Sequence, residues 1–560
     1  MSREILTLQL GNYANYVGTH WWNLQEASFR YDPTAEPTEI DHDVLYREGQ
    51  TASGQSTFTP RMLLLDLKGT LKFMPEEGEL YEERKHSQSD SVLNEIAWDP
   101  DKIEVISQQP ADKCDYQKDL EQGATESDTC EDEQEKDYNF KETVNDWIDY
   151  SYSRFHPRSI NIVNQYNHSK EENQFDTIIN GLELWRRANI EDEFGDKIRQ
   201  YIEECDSCQG FQLLFDCVDG FAGLAIKTLE HLQDEYGKTS LVFPVIPPTM
   251  PKFKNADDTI SSSIRVINTA LTFSTLPDSC SLFVPLSTMG RCWRDLDKPR
   301  NFPYISYDEK NLYQTSGVLA AFLETASLRF RLKTPSNLSY LSNMCTELTP
   351  HGRQMAGASL ALPLAMHNSE DLIDYLDRND KPFCIPLTPN ASVGTKYVVQ
   401  SVTARGIPRN RLKRPPTAKS ALKQQRMAAY RCDSVSEMLQ FYYHCQLHAS
   451  LSHVTSCNAP MDLKVPFPVE MFHSRVGFDG FLNEFDPGIQ QKVASAPVLA
   501  QIQSSGGLAD TIDSLHREVS RIKLVRIPRF EESGLESENY KESLERLLEF
   551  KERYDDNYEL

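Results

Sequence analysis

Short apolar runs alternate with longer stretches of helical spacing from residue 3 to about residue 300. Four of these runs are rich in Leu, Ile, Val and Phe, which is typical of buried strands. They are Leu63–Leu67, Ile160–Val163, Phe211–Phe215 and Leu241–Ile246. Strands that alternate with helices favour an α/β fold built on a parallel sheet.

The N-terminus carries the most informative unit of the chain. The apolar run Ile5–Leu10 predicts a buried strand, Gly11 ends it, and a polar turn at Asn12–Asn15 leads into a helix. A strand, a tight turn and a helix N-terminus together form the usual cradle for a nucleotide phosphate. Many α/β proteins begin with such a unit for purely structural reasons, so both interpretations stay open on spacing alone.

The residue identities in this unit resemble the start of tubulins. The matching positions are Arg3, Glu4, Ile5, Gln9, Gly11, Asn15, Gly18 and Trp22. Residues 60–70, 209–236 and 268–272 continue the resemblance in the same order. The resemblance implies a Rossmann-like N-terminal domain with a guanine-nucleotide site. The residues that it assigns to this site are Gly11, Asn12, Asn15, Asp66, Gly220, Gly223 and Asn268.

Within that superfamily the sequence most closely resembles the Misato family of divergent tubulin-like proteins. The segments that carry this resemblance are residues 20–23, 43–47, 65–69, 156–160, 203–206, 209–212 and 219–223. The resemblance implies a protein of the cytoplasm that associates peripherally with the mitochondrial outer membrane and regulates mitochondrial distribution, morphology and fusion. It also implies partners: that membrane or its proteins, and possible links to spindle microtubules, tubulin and the cytosolic chaperonin.

The phosphate loop departs from the tubulin pattern. Tubulins use a run of Gly, Thr and Ser there, because backbone N–H groups can surround a phosphate only where side chains are small. Here Asp219 and Phe221 interrupt the glycines. A carboxylate at this point would repel a phosphate by about 1 kcal/mol or more unless a metal ion lay between them. We therefore expect weakened or absent nucleotide binding.

Two further departures concern metal binding and hydrolysis. Lys68 stands where a second acid would help Asp66 to hold magnesium, although a lysine could instead meet phosphate directly. The loop Asn311–Thr315, before a predicted core helix at 316–330, brings no carboxylate to position an attacking water. We expect no catalytic residues, no metal and no resident cofactor, with GTP as the possible exception.

Composition limits the classes of function. The net charge of −26 argues against nucleic acid as a partner. No stretch approaches the roughly 18 apolar residues of a membrane span, and no presequence is expected before the first strand. Twelve cysteines are scattered without a disulfide pattern. Cys205 and Cys208 are the one close pair, and we expect them to be reduced thiols.

The predicted organisation has three parts. Residues 1–310 form a tubulin-like domain, interrupted at 75–149 by an acidic segment predicted to be disordered. Residues 311–500 contain the core helix and a second α/β domain, with a strand near 356–362 and a basic loop at 404–431. Residues 501–560 supply C-terminal helices and an acidic tail. The basic loop could bind an anionic membrane or acidic partner, bind the chain's own acidic insert, or be solvated.

The function that we expect is non-catalytic, at the mitochondrial surface. Two alternatives stay open on the sequence: a GTP-binding or GTP-hydrolysing, filament-forming protein, and a factor associated with tubulin or the chaperonin in spindle microtubule organisation. The altered phosphate and acid loops count against the first. The sequence does not separate the second from the mitochondrial role.

Overall fold

A computed structural model describes most of the chain. The described residues are 3–29, 38–50, 56–72, 113–125, 136, 138–168, 174–187, 190–248, 258–294, 298–333, 339–379, 382–392, 397–415, 421–446 and 450–555. The strands are β1 (Ile5–Leu10), β2 (Tyr46–Gln50), β3 (Ser56–Pro60), β4 (Met62–Lys68), β5 (Ile160–Asn167), β6 (Gly210–Asp216), β7 (Thr239–Val245), β8 (Leu282–Phe283), β9 (Gly357–Ala361), β10 (Ile385–Pro386), β11 (Val399–Arg405), β12 (Leu451–Cys457), β13 (Met461–Asp462), β14 (Ser495–Ala496) and β15 (Val498–Ser504).

The helices lie between and around these strands. They are α1 (Asn12–Ala27), α2 (Asp115–Thr125), α3 (Phe140–Thr143), α4 (Ile178–Arg187), α5 (Ile190–Glu203), α6 (Phe221–Tyr236), α7 (Asp258–Ser279), α8 (Leu312–Arg331), α9 (Leu341–Leu348), α10 (Leu372–Arg378), α11 (Ala421–Arg426), α12 (Val435–Gln446), α13 (Ala509–Ser520), α14 (Pro528–Glu532) and α15 (Ser537–Glu552). Within the described residues, no helix is both long enough and apolar enough to cross a bilayer.

The first sheet has six parallel strands in the order β5-β4-β1-β6-β7-β8. Its central strands are buried on both faces, which explains their nearly continuous apolar sequences. In β1, Ile5 belongs to the core on one face, whereas Leu6, Leu8 and Leu10 belong to the core on the other. The predicted α/β fold with a parallel sheet is confirmed.

A second, mixed sheet has the order β10-β9-β15-β11-β12. The strand predicted near 356–362 is β9, and the predicted core helix is α8, which begins a turn earlier than expected because Asn311 caps it. Helix α8 packs on α1 and also on β11 and β15, so it joins the two sheets. The predicted boundary at residue 500 falls inside β15, so the second sheet continues to Ser504.

The C-terminal helices return to the first sheet. Helices α13 and α15 pack on each other and on α7. Phe550 and Tyr554 are buried, and Phe550 stacks on Phe283. The hydroxyl of Tyr554 donates to the carbonyl of Met355 and accepts from its amide, at 2.7 Å in each case. The tail is therefore fixed to the body up to about residue 555.

The expectation of a disordered insert at 75–149 is wrong for residues 113–125 and 138–149. Residues 138–150 pack on α1 and α8 through aromatic side chains, and helix α2 packs on these residues through Tyr116. Trp147, Ile148 and Tyr150 are inaccessible to solvent. The prediction rested on the high average charge of the insert, which includes a few aromatic residues close together in the fold. Burial of these aromatic side chains offsets the entropy lost when the segment becomes ordered. Residues 73–112, 126–135 and 137 lie outside the described part of the insert.

Three cations of the basic loop at 404–431 are neutralised by acidic residues of the chain itself. Arg405 is buried in an ion cluster, Lys413 pairs with Asp433, and Arg414 pairs with Asp374. Arg411 lies over the ring of Phe481 at 3.9 Å. These four cations therefore make contacts within the protein. Their described acidic partners belong to the second domain rather than to the insert.

One buried carboxylate connects the two sheets. Glu324 of α8 accepts hydrogen bonds from the Trp21 indole at 3.2 Å and from Arg331 at 2.7 Å. Its other oxygen accepts from Arg405 of β11 at 3.3 Å. The side chains of Glu324, Arg331 and Arg405 are all at least 98% buried. The cluster thus ties α1 and α8 to the second sheet.

We predict that Glu324→Ala destabilises the protein by about 3–5 kcal/mol, because it leaves two buried guanidinium groups without their counter-charge. Thermal melting followed by circular dichroism measures the effect. The matched control is Glu542→Ala, which breaks an exposed pair with Arg546 and should cost about 0.5 kcal/mol or less. Equal melting temperatures for the two variants would contradict this role of Glu324.

Candidate functional site

The candidate nucleotide site lies at the carboxyl edge of the first sheet, where β1, β4 and β6 end side by side. Gly11 follows β1, Asp66 lies near the end of β4, and Asp216 is the last residue of β6. In parallel α/β sheets, ligands bind at this edge, next to helix N-termini. The predicted residues Gly11, Asn12, Asn15 and Asp66 do meet here.

A carboxylate of the chain occupies the N-terminus of α1. Asp216 accepts hydrogen bonds from the amides of Tyr13 at 2.9 Å and Ala14 at 2.8 Å. These amides belong to the first turn of the helix, the position at which a helix binds a phosphate. The expected polar turn at Asn12–Asn15 is instead the first turn of α1, because Asp216 satisfies its free N–H groups.

Gly11 permits this arrangement. Its φ of 112° is in the region that favours glycine, and a Cβ atom there would lie 2.7 Å from Cγ of Asp216. Asn12 lies next to it on α1 and is partly buried. The glycine that resembles a phosphate-turn residue therefore makes room for a carboxylate of the protein.

The second helix N-terminus at this edge is also occupied. Oδ1 of Asp219 accepts a hydrogen bond of 2.9 Å from the amide of Phe221, the first residue of α6. The two helices that would present amides to the phosphates of a nucleotide thus each hold an aspartate. The carboxylates satisfy the same amides and the same helix dipoles that attract phosphate.

Asp66 is equally engaged. It is fully buried and accepts from the Asn15 side chain at 2.8 Å, from the Trp147 indole at 3.0 Å and from its neighbouring amide of Leu67 at 2.8 Å. Trp147 comes from the insert, so a segment expected to be disordered helps to close the site. Lys68, the residue at the second acidic position, is exposed and lies outside this network.

Burial raises the pKa of all three carboxyl groups at this edge, Asp66, Asp216 and Asp219. Burial raises the pKa of Asp216 to about 7, the nearby Asp66 adds to the rise, and the two α1 amides oppose it. Burial also raises the pKa of Asp219 and of Asp66, with Asp216 adding to the effect on Asp219. The edge of the sheet therefore holds three carboxyl groups whose charged forms are disfavoured by burial, next to the buried Arg265, which lowers the pKa of Asp216.

Gly220 and Gly223 serve helix packing. A Cβ atom on Gly223 would lie 2.0 Å from the carbonyl oxygen of Ile178, and one on Gly220 would lie 2.7 Å from the Phe175 ring. A Cβ atom on Gly181 of α4 would lie 1.9 Å from the carbonyl oxygen of Gly220. These glycines allow α4 and α6 to pack backbone against backbone.

Asn268, the predicted guanine ligand, is fully buried and satisfied by backbone groups. Its Oδ1 accepts from the amide of Ile178 at 2.9 Å. Its Nδ2 donates to the carbonyls of Asp176 at 2.7 Å and Val218 at 2.8 Å. It therefore fixes α7 to the loops before α4 and α6. A base could reach this amide only after three internal hydrogen bonds had broken.

Two residues of this site were missing from the sequence analysis. Asp216 ends a buried strand next to β1, so its place at the carboxyl edge was a signal that could have revealed it. Trp147 gave no such signal, because it is distant in sequence and lies in an acidic segment. No cluster of three or more potential metal ligands occurs among the residues that the structure describes.

Comparisons with known proteins agree with this architecture. The Misato segment II tubulin-like domain matches residues 3–122, and the tubulin domain matches residues 138–332. Together with the parallel six-stranded sheet, these matches define a tubulin-like protein.

Full-length relatives narrow this class to one family. Protein misato of Drosophila melanogaster is 41% identical over 587 residues, covering 99% of each chain. Protein misato homolog 1 of Mus musculus is 31% identical, covering 98% of this chain and 97% of its own. The Homo sapiens homolog is 30% identical, covering 99% and 98%. The chain belongs to the Misato family.

We predict that Gly223→Ala destabilises the protein by about 1–3 kcal/mol or more, because its methyl group would meet backbone atoms of α4 that cannot move independently. The control is Gly290→Ala, where the nearest atom to a new Cβ is 3.5 Å away and the change should be within about 0.5 kcal/mol. Denaturant melts of both variants test this. If the Gly223→Ala protein were as stable as its parent, Gly223 would not be required for the packing of α4 against α6.

The raised pKa of Asp216 predicts a pH effect. Its folded pKa of about 7 exceeds the ordinary value of 3.8, so the folded state takes up a proton on acidification before the unfolded state does. Stability from this group therefore rises as pH falls from 7.5 to 6, by about 1 kcal/mol. Below the ordinary value both states are protonated and the gain is complete.

The measurement compares the parent with Asp216→Asn at both pH values. Burial lowers the pKa of His20 and of His42 to about 3, so these groups destabilise both proteins on acidification. The difference between the two pH responses measures Asp216 together with its effect on Asp219, and we expect the parent to gain relative to the variant. Identical responses would mean that the amides keep the carboxylate ionised at pH 6.

Proposed function

We propose that this protein is a non-catalytic member of the Misato family that acts through its surface at the mitochondrial outer membrane. One observation carries the first part of the proposal: Asp216 occupies the N-terminus of α1, where a tubulin-like site would bind phosphate. A nucleotide would have to displace this buried carboxylate and bring its own negative charges next to Asp66 and Asp219.

The absence of a hydrolytic group supports the same conclusion. The first turn of α8 contains no acidic residue. Gln314 in that turn donates to Glu470 at 3.0 Å and accepts from the amide of Asp308 at 2.9 Å. Both polar atoms of the Gln314 side chain therefore already form hydrogen bonds within the protein. Phosphoryl transfer needs a positioned acceptor for the attacking water, and this turn supplies none.

The mitochondrial role rests on the family resemblance. The net charge of −26 would oppose binding to an anionic bilayer. Three cations of the basic loop, Arg405, Lys413 and Arg414, already have acidic partners within the protein. These charges favour a protein of the outer membrane over its lipids as the binding partner.

We predict that the purified protein binds no stoichiometric GTP and hydrolyses none. Nucleotide released by denaturation is identified by mass spectrometry, and GTP binding in Mg²⁺ is measured by equilibrium dialysis, with tubulin as the positive control. If turnover is observed, Asp66→Ala distinguishes a site in this chain from a contaminant. One equivalent of bound GTP in the parent protein would overturn the exclusion of nucleotide by Asp216, and turnover that Asp66→Ala abolishes would overturn the non-catalytic proposal.

The proposed location is tested separately by fractionation. A peripheral protein on the cytosolic face should sediment with mitochondria, be released by alkaline carbonate and be degraded by protease added to intact organelles. An integral outer-membrane protein and a matrix protein serve as controls. Absence from the mitochondrial fraction, or protection from protease, would contradict the proposed location while leaving the nucleotide result unaffected.

A further inference from the structure

A pair of thiols lies at the opposite edge of the first sheet from the acidic site. Cys205 and Cys208 are in the turn between α5 and β6, and both are partly exposed free thiols. The function proposed above does not use them. Most other cysteines of the described residues are separated in sequence, and five of them are buried: Cys217, Cys292, Cys345, Cys384 and Cys457.

Glu4 fixes this turn to the first strand. Its carboxylate accepts hydrogen bonds from the amides of Asp206 at 3.2 Å and Ser207 at 2.9 Å, the two residues between the cysteines. Its carbonyl accepts from the amide of Gln209 at 2.8 Å. The turn is thereby held with Cys205 and Cys208 on either side of its two anchored amides, where each thiol influences the pKa of the other.

The surroundings make the two thiols unequal. The neighbouring Cys205 lowers the pKa of Cys208, the charge of Lys238 adds to this effect, and burial opposes it. The neighbouring Cys208 and burial raise the pKa of Cys205, and the charge of Arg61 opposes this rise. Cys205 donates to the carbonyl of Tyr201 at 3.1 Å, and Nη1 of Arg61 donates to its sulfur at 3.8 Å. One thiol is thus prepared to ionise and the other to stay protonated beside it.

We propose that Cys205 and Cys208 form a redox site that is reversibly oxidised to a disulfide by a low-molecular-weight disulfide of the glutathione type. The pair offers only two ligands, and the described residues provide no group of three or more that could complete a metal site. Two partly exposed thiols, three residues apart in a turn that Glu4 holds in place, instead match the requirements of thiol–disulfide exchange.

The reaction proceeds in two exchanges. The Cys208 thiolate attacks one sulfur of oxidised glutathione, the S–S bond breaks, and one glutathione thiolate leaves. Cys205 then loses its proton to solvent, and its sulfur attacks that of Cys208 and releases the second glutathione thiolate. The two cysteines lose two electrons in total, and one glutathione disulfide is reduced to two thiols.

The test uses the full-length protein equilibrated with graded ratios of reduced to oxidised glutathione. After acid quenching and alkylation, peptide mass spectrometry quantifies each cysteine. We expect a Cys205–Cys208 disulfide that forms with a defined midpoint and disappears on return to reduced glutathione. Failure to form this disulfide under the most oxidising ratio, while exposed Cys445 becomes glutathionylated, would overturn the proposal.

Single variants test the assigned roles. Cys205→Ser should accumulate the mixed disulfide on Cys208, because the second exchange is blocked. Cys208→Ser should form an adduct on Cys205 at least about tenfold more slowly, because that thiol is protonated. Cys445→Ser is the control and should leave the midpoint of the pair unchanged. Equal adduct rates on Cys205 and Cys208 in the two variants would refute the assignment of nucleophile and resolving thiol.

Discussion

The carboxylate of Glu324 is the interaction on which the arrangement of the two halves depends. It lies on a helix that is buried along almost its whole length, and it receives donors from α1, from its own helix and from the second sheet. A charge in such a place is tolerated only while all of its partners remain. The relative position of the two sheets is therefore held by one directional network, in addition to non-directional packing of apolar side chains on both sides of α8.

The same principle explains the acidic edge of the first sheet. Helix N-termini attract negative charge whether it belongs to a phosphate or to a carboxylate. In this protein Asp216 and Asp219 provide that charge internally, and Asn15 and Trp147 satisfy Asp66. Asp66, Asp216 and Asp219 thus all accept hydrogen bonds from groups of the protein itself.

Much of the fold was predictable from the sequence, because buried parallel strands have an unmistakable apolar pattern. The strands at Leu63–Leu67 and Phe211–Phe215 were found where the pattern placed them, and the helix predicted at 316–330 was found with its start one turn earlier. The ordered part of the insert was not predicted. Its aromatic residues are few and widely spaced, and they become a cluster only when Tyr116, Phe140 and Tyr150 meet beside Tyr313.

The sequence by itself determined the class of fold, the family and the positions of the glycines and acids, since these depend on local pattern and residue identity. Only the tertiary structure decided what those residues do. Gly223 lies against a backbone carbonyl, Asn268 binds three backbone groups, and Asp216 reaches a helix about 200 residues away. The physical reason is that a hydrogen bond or a close backbone contact is defined by distance and direction in space, which periodicity along the chain does not contain.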